Sequence, residues 1–185
     1  MLMDAQPFKR KKTPLLLALA AALFASISQA QQICPPGLTP TTPTDRFQIH
    51  DDGTVSDPVT GLMWRRCTHG QVYDHGTSSC TGTITNLNWQ SALQAAEASS
   101  FADHNDWRMP NVKELASLIE FACEAPAINL TVFPNSPSGG SPDYWTSTVG
   151  GWGTSAWRVL FFRGALGSDS PGTVAGRAAR FVRDL

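Results

Sequence analysis

Two stretches of the chain place apolar residues at the three- and four-residue spacing of an amphipathic helix. In the second stretch, Pro110 favours an extended Met109, Asn111 is a good N-cap, and Glu114 follows three residues later in a capping-box position. The apolar positions after this start predict a helix that reaches about Cys123: Val112, Leu115, Leu118, Ile119 and Ala122. The first stretch predicts a helix from the Asn88 cap to about Ser100, with a buried stripe of Trp89, Ala92, Leu93 and Ala96.

Short segments in which apolar and polar residues alternate predict strands on both sides of these helices. Three strands separated by tight turns predict a small β meander at 46–50, 54–56 and 62–66. A long loop rich in Pro and Gly follows the helices, and three further strands are predicted at 144–148, 156–162 and 175–183, with a turn at 164–172. This order indicates an α+β fold in which two helices pack on short antiparallel sheets with long loops.

The first thirty residues have the pattern of a signal peptide. A basic run at 9–12 precedes a short apolar run at 15–27, and Ser28-Gln29-Ala30 is a small-x-small cleavage site. The apolar run falls short of the ~18 residues typical of a spanning helix. We therefore expect a signal peptide at 1–30, an extended arm at 31–45 and one domain at 46–185. The protein is then periplasmic or extracellular, with no membrane span after cleavage.

Charge argues against a nucleic-acid partner. The whole chain carries 14 basic and 15 acidic residues, and the expected signal peptide contains four of the basic and one of the acidic residues. The mature chain would keep 10 basic and 14 acidic residues, a formal net charge of −4. A net acidic domain is a poor general binder of nucleic acid.

Four cysteines lie in the mature part of the chain, which suits disulfides in an exported protein. Four cysteines permit three connectivities. A bridge between Cys67 and Cys80 would close one surface loop, and Cys34 with Cys123 would then tie the arm to the end of the second helix.

Several segments in this order resemble the Lcl C-terminal domain family. They are Gly53-Thr54-Val55-Ser56-Asp57, Thr60-Gly61-Leu62-Met63-Trp64, Trp89 with Ala92, Asp106-Trp107-Arg108-Met109-Pro110-Asn111 with Lys113-Glu114-Leu115, Pro126-Ala127-Ile128-Asn129, Phe133-Pro134-Asn135, Tyr144-Trp145-Thr146-Ser147 and Arg180-Phe181-Val182-Arg183. The resemblance implies a C-type-lectin-like fold and distant kinship with formylglycine-generating and sulfatase-modifying domains. It also implies adhesion through sulfated glycans, although the collagen-like stalk of the best-known member has no counterpart here.

The candidate ligand site lies beyond Tyr144. Trp152 is flanked by glycines on a predicted loop tip, where an indole can stack on a sugar ring. Arg158 and Arg163 are the candidate anion contacts on one predicted strand, and Asp143 precedes these strands. Arg177, Arg180 and Arg183 on the last predicted strand extend the same hypothesis; structural ion pairs are the alternative for all of these arginines. Arg108 is expected to pair inside the fold with Glu114 or a backbone carbonyl.

Cofactor and catalytic signals are weak. Cys67, His69, His75 and Cys80 do not have a usual zinc spacing, so a disulfide is the preferred interpretation. The aspartates at 51, 52 and 57 lack the spacing of a calcium loop and suit turns. The chain has no G-x-S-x-G elbow, phosphate-binding loop or H-E-x-x-H motif. We therefore expect no cofactor, no metal and no enzymatic activity.

These observations favour an exported, non-catalytic binding or adhesion module that recognises a glycan or sulfated polysaccharide. The alternative is a structural or accessory subunit of a cell-envelope or pilus assembly, with protein partners in the envelope.

Overall fold

The computed structural model describes residues 32–137, 143–173 and 176–185, without the side chain of Trp152. The expected signal peptide lies outside the described residues. The two helices are α1 (Trp89–Glu97) and α2 (Val112–Ala116). The strands are β1 (Gln48–Ile49), β2 (Thr54–Asp57), β3 (Leu62–Arg65), β4 (Val72–Asp74), β5 (Ser79–Thr81), β6 (Tyr144–Gly150), β7 (Ser155–Leu160), β8 (Ala165–Asp169) and β9 (Val182–Asp184). Short 3₁₀ helices cover Thr44–Arg46 and Gly151–Gly153. Within these described ranges, the protein is an α+β domain with few helices and three antiparallel sheets.

The first sheet joins the two ends of the domain. Its order is β1-β2-β3-β9, and all three pairings are antiparallel. Val55 and Val182 both lie opposite Trp64. The β meander predicted from alternation is therefore confirmed, and β9 is added to it beside β3. The prediction of a strand from Arg46 was wrong at its start, because Arg46 ends a 3₁₀ turn.

The last predicted strand, 175–183, is also shorter than expected. Residues 177–181 are extended but change partners from one residue to the next: Arg177 pairs with Leu87, Ala178 pairs with Tyr144, and the carbonyl of Ala179 accepts from the amide of His69. Regular pairing begins only at Val182. The segment therefore connects the two large sheets instead of extending one of them.

Helix α1 starts where the sequence predicts. The Asn88 side chain accepts a hydrogen bond from the Ser91 amide at 2.8 Å. Ala92 and Ala96 are buried, while Trp89 and Leu93 are half-buried against the same core. The small alanines let the helix approach the second sheet closely, and the indole N–H of Trp89 donates to the Thr146 carbonyl at 2.7 Å.

Helix α2 begins as predicted but ends at Ala116, and the expected run to Cys123 was wrong. Beyond Ser117 the chain pairs with the following loop: Ile119 forms a bridge with Ile128, and the Glu120 amide donates to the Ala127 carbonyl at 3.0 Å. Leu118 and Ile119 are buried all the same. The apolar residues after Ser117 are therefore explained by their burial and not by a continued helix. The helix ends because the backbone there pairs with the following loop.

The second sheet has the order β6-β7-β8, and its third strand was missed. Residues 165–169 pair with β7 along their whole length, with Leu166 opposite Val159, where the sequence predicted a turn. The predicted strand 156–162 ends at Leu160, and a turn at 161–164 leads directly into β8. The pairing overrides the weak strand propensity of a Gly- and Ser-containing segment.

The core has two parts. The larger part packs Trp64, Phe133 and Tyr144 between the first sheet and the loop after α2. The second part packs Trp107, Trp145 and Phe181 between α1 and the second sheet. Trp64, Trp107 and Trp145 are buried, whereas Trp157 and Trp89, which was predicted to lie in a buried stripe, are half-buried.

The N-terminal arm is fastened to the domain at several points. The Cys34–Cys123 and Cys67–Cys80 disulfides are both formed, which selects one of the three connectivities. Ile33 pairs with Glu124, and the carboxylate of the buried Glu120 accepts hydrogen bonds from the amides of Thr41 and Thr42, each at 2.8 Å. The arm is therefore part of the folded unit.

Candidate functional site

An open cleft of about 640 Å³ lies beside the start of α2. We call it the α2 cleft. It is lined by Leu93, Glu97, Asn105, Asp106, Trp107, Arg108, Met109, Asn111, Glu114 and Ser147. The stretch from Asp106 to Glu114 supplies most of this lining, whereas the sequence analysis placed the candidate ligand site beyond Tyr144.

The α2 start positions these side chains through a complete capping box. The Asn111 side chain accepts from the amides of Lys113 and Glu114, each at 2.9 Å. The Glu114 carboxylate accepts from the Asn111 amide at 2.7 Å. Three residues of local sequence therefore fix the orientation of Asn111 and Glu114 at the cleft.

Arg108 lies between carboxylates from both ends of the domain. Its guanidinium donates to both Glu114 oxygens at 2.9 and 3.0 Å and to Asp184 Oδ1 at 2.6 Å. The hydrogen bonds that Arg108 donates to Glu114 are the main cause that raises the pKa of Arg108. The expected internal pairing with Glu114 is confirmed, and Asp184 is a second partner that only the fold supplies.

A second ion pair flanks the cleft. Arg183 donates to the two Asp106 carboxylate oxygens at 2.8 and 3.1 Å. This hydrogen bonding lowers the pKa of Asp106 and keeps the carboxylate ionised. The two residues are 77 positions apart in the chain, so no local signal connects them.

The α2 cleft is acidic at its surface and apolar at its floor. Its lining contains three carboxylates and one guanidinium. Met109 and Trp107 are buried beneath the polar groups, and the Trp107 indole N–H is already bound to the Phe101 carbonyl at 3.0 Å. The cleft therefore offers fixed hydrogen-bonding groups above an apolar surface.

The sequence candidates Arg158 and Asp143 meet in an ion-pair network beside β7. Arg158 Nη1 is bonded to Asp143 Oδ2, Arg177 Nη2 is bonded to Asp169 Oδ2, and Arg177 Nε lies 3.8 Å from Asp143 Oδ2. Burial, and then the charge of Arg177, lower the pKa of Arg158. With two positive and two negative groups, the network neutralises itself.

The other two candidates lie apart from that network. Arg163 is exposed in the turn after β7 and not on the strand itself, so the placement of Arg158 and Arg163 on one strand was wrong. Its guanidinium carbon lies 5.8 Å from the centre of the Phe162 ring. The backbone of Trp152 is in the 3₁₀ turn Gly151–Gly153, and its side chain lies outside the described residues.

The arginines near the C-terminus have three different environments. Arg183 flanks the α2 cleft, Arg177 belongs to the network beside β7, and Arg180 is fully buried. Arg180 donates to the carbonyls of Arg65 and Arg66 and to Ser136 Oγ, and burial lowers its pKa. Its guanidinium lies 4.7 Å from the centre of the Phe133 ring. Arg180 thus fastens the β3 end to the long loop.

The cysteine and histidine candidates are structural in the described part of the chain. The Cys67–Cys80 disulfide removes two of the four residues considered for zinc, and His75 packs on Tyr73. Across 32–137, 143–173 and 176–185, no group of three or more His, Cys, Asp or Glu residues is arranged to hold a metal ion. Asp52 accepts from the Thr54 amide at 2.8 Å and Asp57 accepts from Val59, as expected of turn residues.

One contact joins a histidine and a serine, the residue types that act as base and nucleophile in many enzymes. His50 Nε2 lies 2.9 Å from Ser56 Oγ. Ser56 is buried within β2, between β1 and β3, where a substrate has no access to its hydroxyl. The contact is therefore best explained as a hydrogen bond that fixes the β1–β2 hairpin.

In the part of the chain that the structure describes, no helix is long and apolar enough to cross a membrane.

Comparison with known proteins identifies the family. No curated protein and no solved structure matched the chain. The family model for the Lcl C-terminal domain matches residues 53–183, which include both helices, β2 to β8 and the lining of the α2 cleft. The chain therefore belongs to the Lcl C-terminal domain family.

Proposed function

We propose that the protein is an exported, non-catalytic binding module and that the α2 cleft is its ligand site. The volume and form of the cleft carry the proposal: about 640 Å³, open to solvent, with rigidly held polar groups over apolar side chains. Small-ligand sites typically occupy about 300–1,000 Å³ and combine these features. Because Asp106, Arg108, Asn111 and Glu114 are fixed by ion pairs and a capping box, these polar groups are preorganised for a ligand.

The lining favours an uncharged glycan over a sulfated one. Carboxylates held by arginines keep free lone pairs that accept from sugar hydroxyls, and the Asn105 side-chain amide can donate and accept. The Asn111 side chain can donate through its NH₂ group, because its oxygen is occupied by the capping box. The half-buried Leu93 provides apolar surface for the C–H face of a sugar ring, with the buried Met109 beneath the polar groups. Arg108 and Arg183 compensate two of the three lining carboxylates, and Glu97 forms no salt bridge within the described residues, so the cleft has no excess of positive charge to attract a sulfate ester.

A sulfated ligand would depend on the other candidate region. There Arg158 is already occupied by Asp143, which leaves the exposed Arg163 as the available cation of the original candidate set. One exposed arginine is a weak basis for binding a polyanion. We therefore place the sulfated polysaccharide second.

We further propose that the domain is a variant of the C-type-lectin-like fold. Strands from both ends of the domain share one sheet, and two helices and a long loop precede a second antiparallel sheet. Export is supported by the signal-peptide pattern and by two disulfides. The proposal that the module is non-catalytic is supported by two observations. The Ser56 hydroxyl is buried where a substrate has no access, and the cysteines of the described residues are all paired in disulfides.

Glycan arrays with neutral and sulfated members test the proposal. Asn105→Ala and Glu97→Gln change exposed cleft groups that have no side-chain hydrogen bond within the described residues, so the fold should persist. We expect each to weaken binding of a neutral glycan by about tenfold, the effect of one lost or unpaired hydrogen bond. Gln94→Ala, on the exposed face of α1, and Arg163→Ala are the matched controls and should bind as the wild type does.

Three results would overturn the assignment. One is absence of wild-type binding to neutral glycans. Another is unchanged binding in both cleft variants. The third is preferred binding of sulfated glycans that weakens with salt and with Arg163→Ala, which would move the site to the turn after β7. Co-purification of a stoichiometric envelope protein, with no glycan binding, would instead support the subunit alternative.

A further inference from the structure

A small apolar surface lies on the domain around the Cys34–Cys123 disulfide. It consists of Ile33, Phe121 and Phe162, which are 53%, 67% and 46% exposed. We call it the disulfide patch. Ile33 pairs with Glu124, and the Ala125 amide donates to the Phe162 carbonyl at 2.8 Å, so the arm, the loop after α2 and the turn after β7 come together here.

The Phe121 ring is held against the same turn. A Cβ built on Gly164 would lie 3.8 Å from Phe121 Cδ1, at ordinary van der Waals distance. Two exposed phenylalanines beside one turn are unusual for a surface that faces only water, because apolar area that stays exposed gains nothing on folding. The disulfide next to them holds the backbone that carries Phe121 and Ile33.

Two charges of opposite sign lie beside the disulfide patch. Glu124 and Arg163 are both exposed, and neither forms a salt bridge to any residue within the described ranges. Their backbones are adjacent, because Ala125 is bonded to Phe162. A two-fold axis through the space between them would bring Arg163 of one copy opposite Glu124 of a second copy, and the reverse.

We propose that the disulfide patch is a homotypic interface that joins two copies of this chain about a two-fold axis. In an isologous contact the same surface must complement itself, and an apolar surface with one positive and one negative group beside it satisfies that condition. A strongly charged partner would find no excess of opposite charge on this surface. The interface is small, so the dimer is weak and reversible. It is independent of the α2 cleft, whose lining shares no residue with it.

Charge reversal gives a test that only a two-fold contact satisfies. In a two-fold contact, residue 163 of each copy lies opposite residue 124 of the other copy. Arg163→Glu alone therefore places two negative charges opposite each other at both of these contacts, and Glu124→Arg alone places two positive charges there. Each single variant should dimerise at least about tenfold more weakly than the wild type. An equimolar mixture of the two variants should restore the dimer, because opposite charges then face each other at both contacts of the heterodimer.

Sedimentation velocity of the purified, oxidised protein over a wide range of concentration measures these equilibria. Phe121→Ser and Phe162→Ser should be monomeric, with thermal unfolding used to confirm that they are folded. Asp51→Arg and Lys113→Glu make matching charge reversals at exposed positions away from the patch and should dimerise normally. A monomeric wild type at every concentration, or a dimer that the reversals leave unchanged, would overturn the proposal. A mixture that fails to restore association, or patch variants that lose only a different protein partner, would overturn it as well.

Discussion

The Glu114 carboxylate receives hydrogen bonds from the Arg108 side chain and from the Asn111 amide on the same oxygen, Oε2, at 2.9 and 2.7 Å. One carboxylate thus closes the capping box of α2 and orients the arginine at the cleft. The same contact links a local element, the helix start, to the C-terminal strand, because Arg108 also bonds to Asp184.

This dual role predicts a graded effect at position 114. Glu114→Gln keeps an oxygen for the Asn111 amide and loses the charge, so we expect a loss of about 0.5–1 kcal/mol in the free energy of unfolding, because the Arg108 side chain is partly exposed. Glu114→Ala loses the cap as well and should cost about 1–2 kcal/mol. Urea denaturation measures both, and Glu97→Gln, at an exposed position, should stay within about 0.5 kcal/mol of the wild type. Equal losses for the two Glu114 variants would contradict the dual role.

The contact of Arg158 with Asp143 predicts energetic coupling. Both side chains are largely buried, so removing one partner leaves the other charge poorly compensated. Arg158→Ala and Asp143→Ala should each destabilise the protein by about 1–3 kcal/mol, and the double variant should cost at least about 1 kcal/mol less than their sum. Additive losses in the double-mutant cycle would show that the two side chains do not stabilise each other.

Glu120 predicts a loss of stability in acid. Burial acts to raise the pKa of Glu120, but the hydrogen bonds from the amides of Thr41, Thr42 and Ala122 outweigh it and hold the pKa below its ordinary value. A lowered folded-state pKa gives stability that is fully present above the unfolded-state pKa of about 4.3. That stability is lost as pH falls through the folded-state pKa.

Unfolding free energies measured between neutral pH and about pH 3 test this. Glu120→Gln should be less stable than the wild type at neutral pH, and the difference should shrink as the pH falls, since the wild type loses its advantage on protonation. Thr42→Val removes one hydroxyl donor to the carboxylate at 3.0 Å and keeps the titrating group, so its stability should still fall in acid. A difference between wild type and Glu120→Gln that is independent of pH would refute the assignment.

A strained turn near the cleft predicts a stabilising substitution. Ala102 has φ of 53°, a left-handed conformation that costs a residue with a Cβ about 1 kcal/mol or more. Ala102→Gly should therefore raise the free energy of unfolding by up to about 1 kcal/mol. The exposed Ala98 has φ of −79°, so Ala98→Gly should lower stability by about 0.5–1 kcal/mol. Thermal and urea denaturation compare the two, and a decrease for both would show that the Ala102 turn carries no strain.

Predictions that depended on neighbouring residues were accurate. Both helix caps, the first β meander and the pairing of Arg108 with Glu114 are confirmed, because each involves groups a few positions apart whose hydrogen bonds depend on local conformation. The family assignment is confirmed for the same kind of reason, since its signature is a series of short segments in order.

Predictions that depended on partners far along the chain were less accurate. The end of α2, the strand β8 and the bounds of the last strand were wrong because backbone pairing, not side-chain periodicity, decides them. Arg158 and Arg163 were placed on one strand because alternation continues past Leu160. The chain instead turns after Leu160, and the next strand, β8, pairs with β7.

The amino-acid sequence by itself determined where both helices begin, many of the buried apolar positions, that the cysteines pair and which family the domain belongs to. Only the tertiary structure decided that Asp106 meets Arg183, that Arg108 meets Asp184, and that a cleft opens between these pairs. Hydrogen bonds within a turn are set by a few backbone torsions, so a short sequence specifies them. A cleft depends on how segments 76 and 77 residues apart approach each other, and that depends on the packing of the whole core.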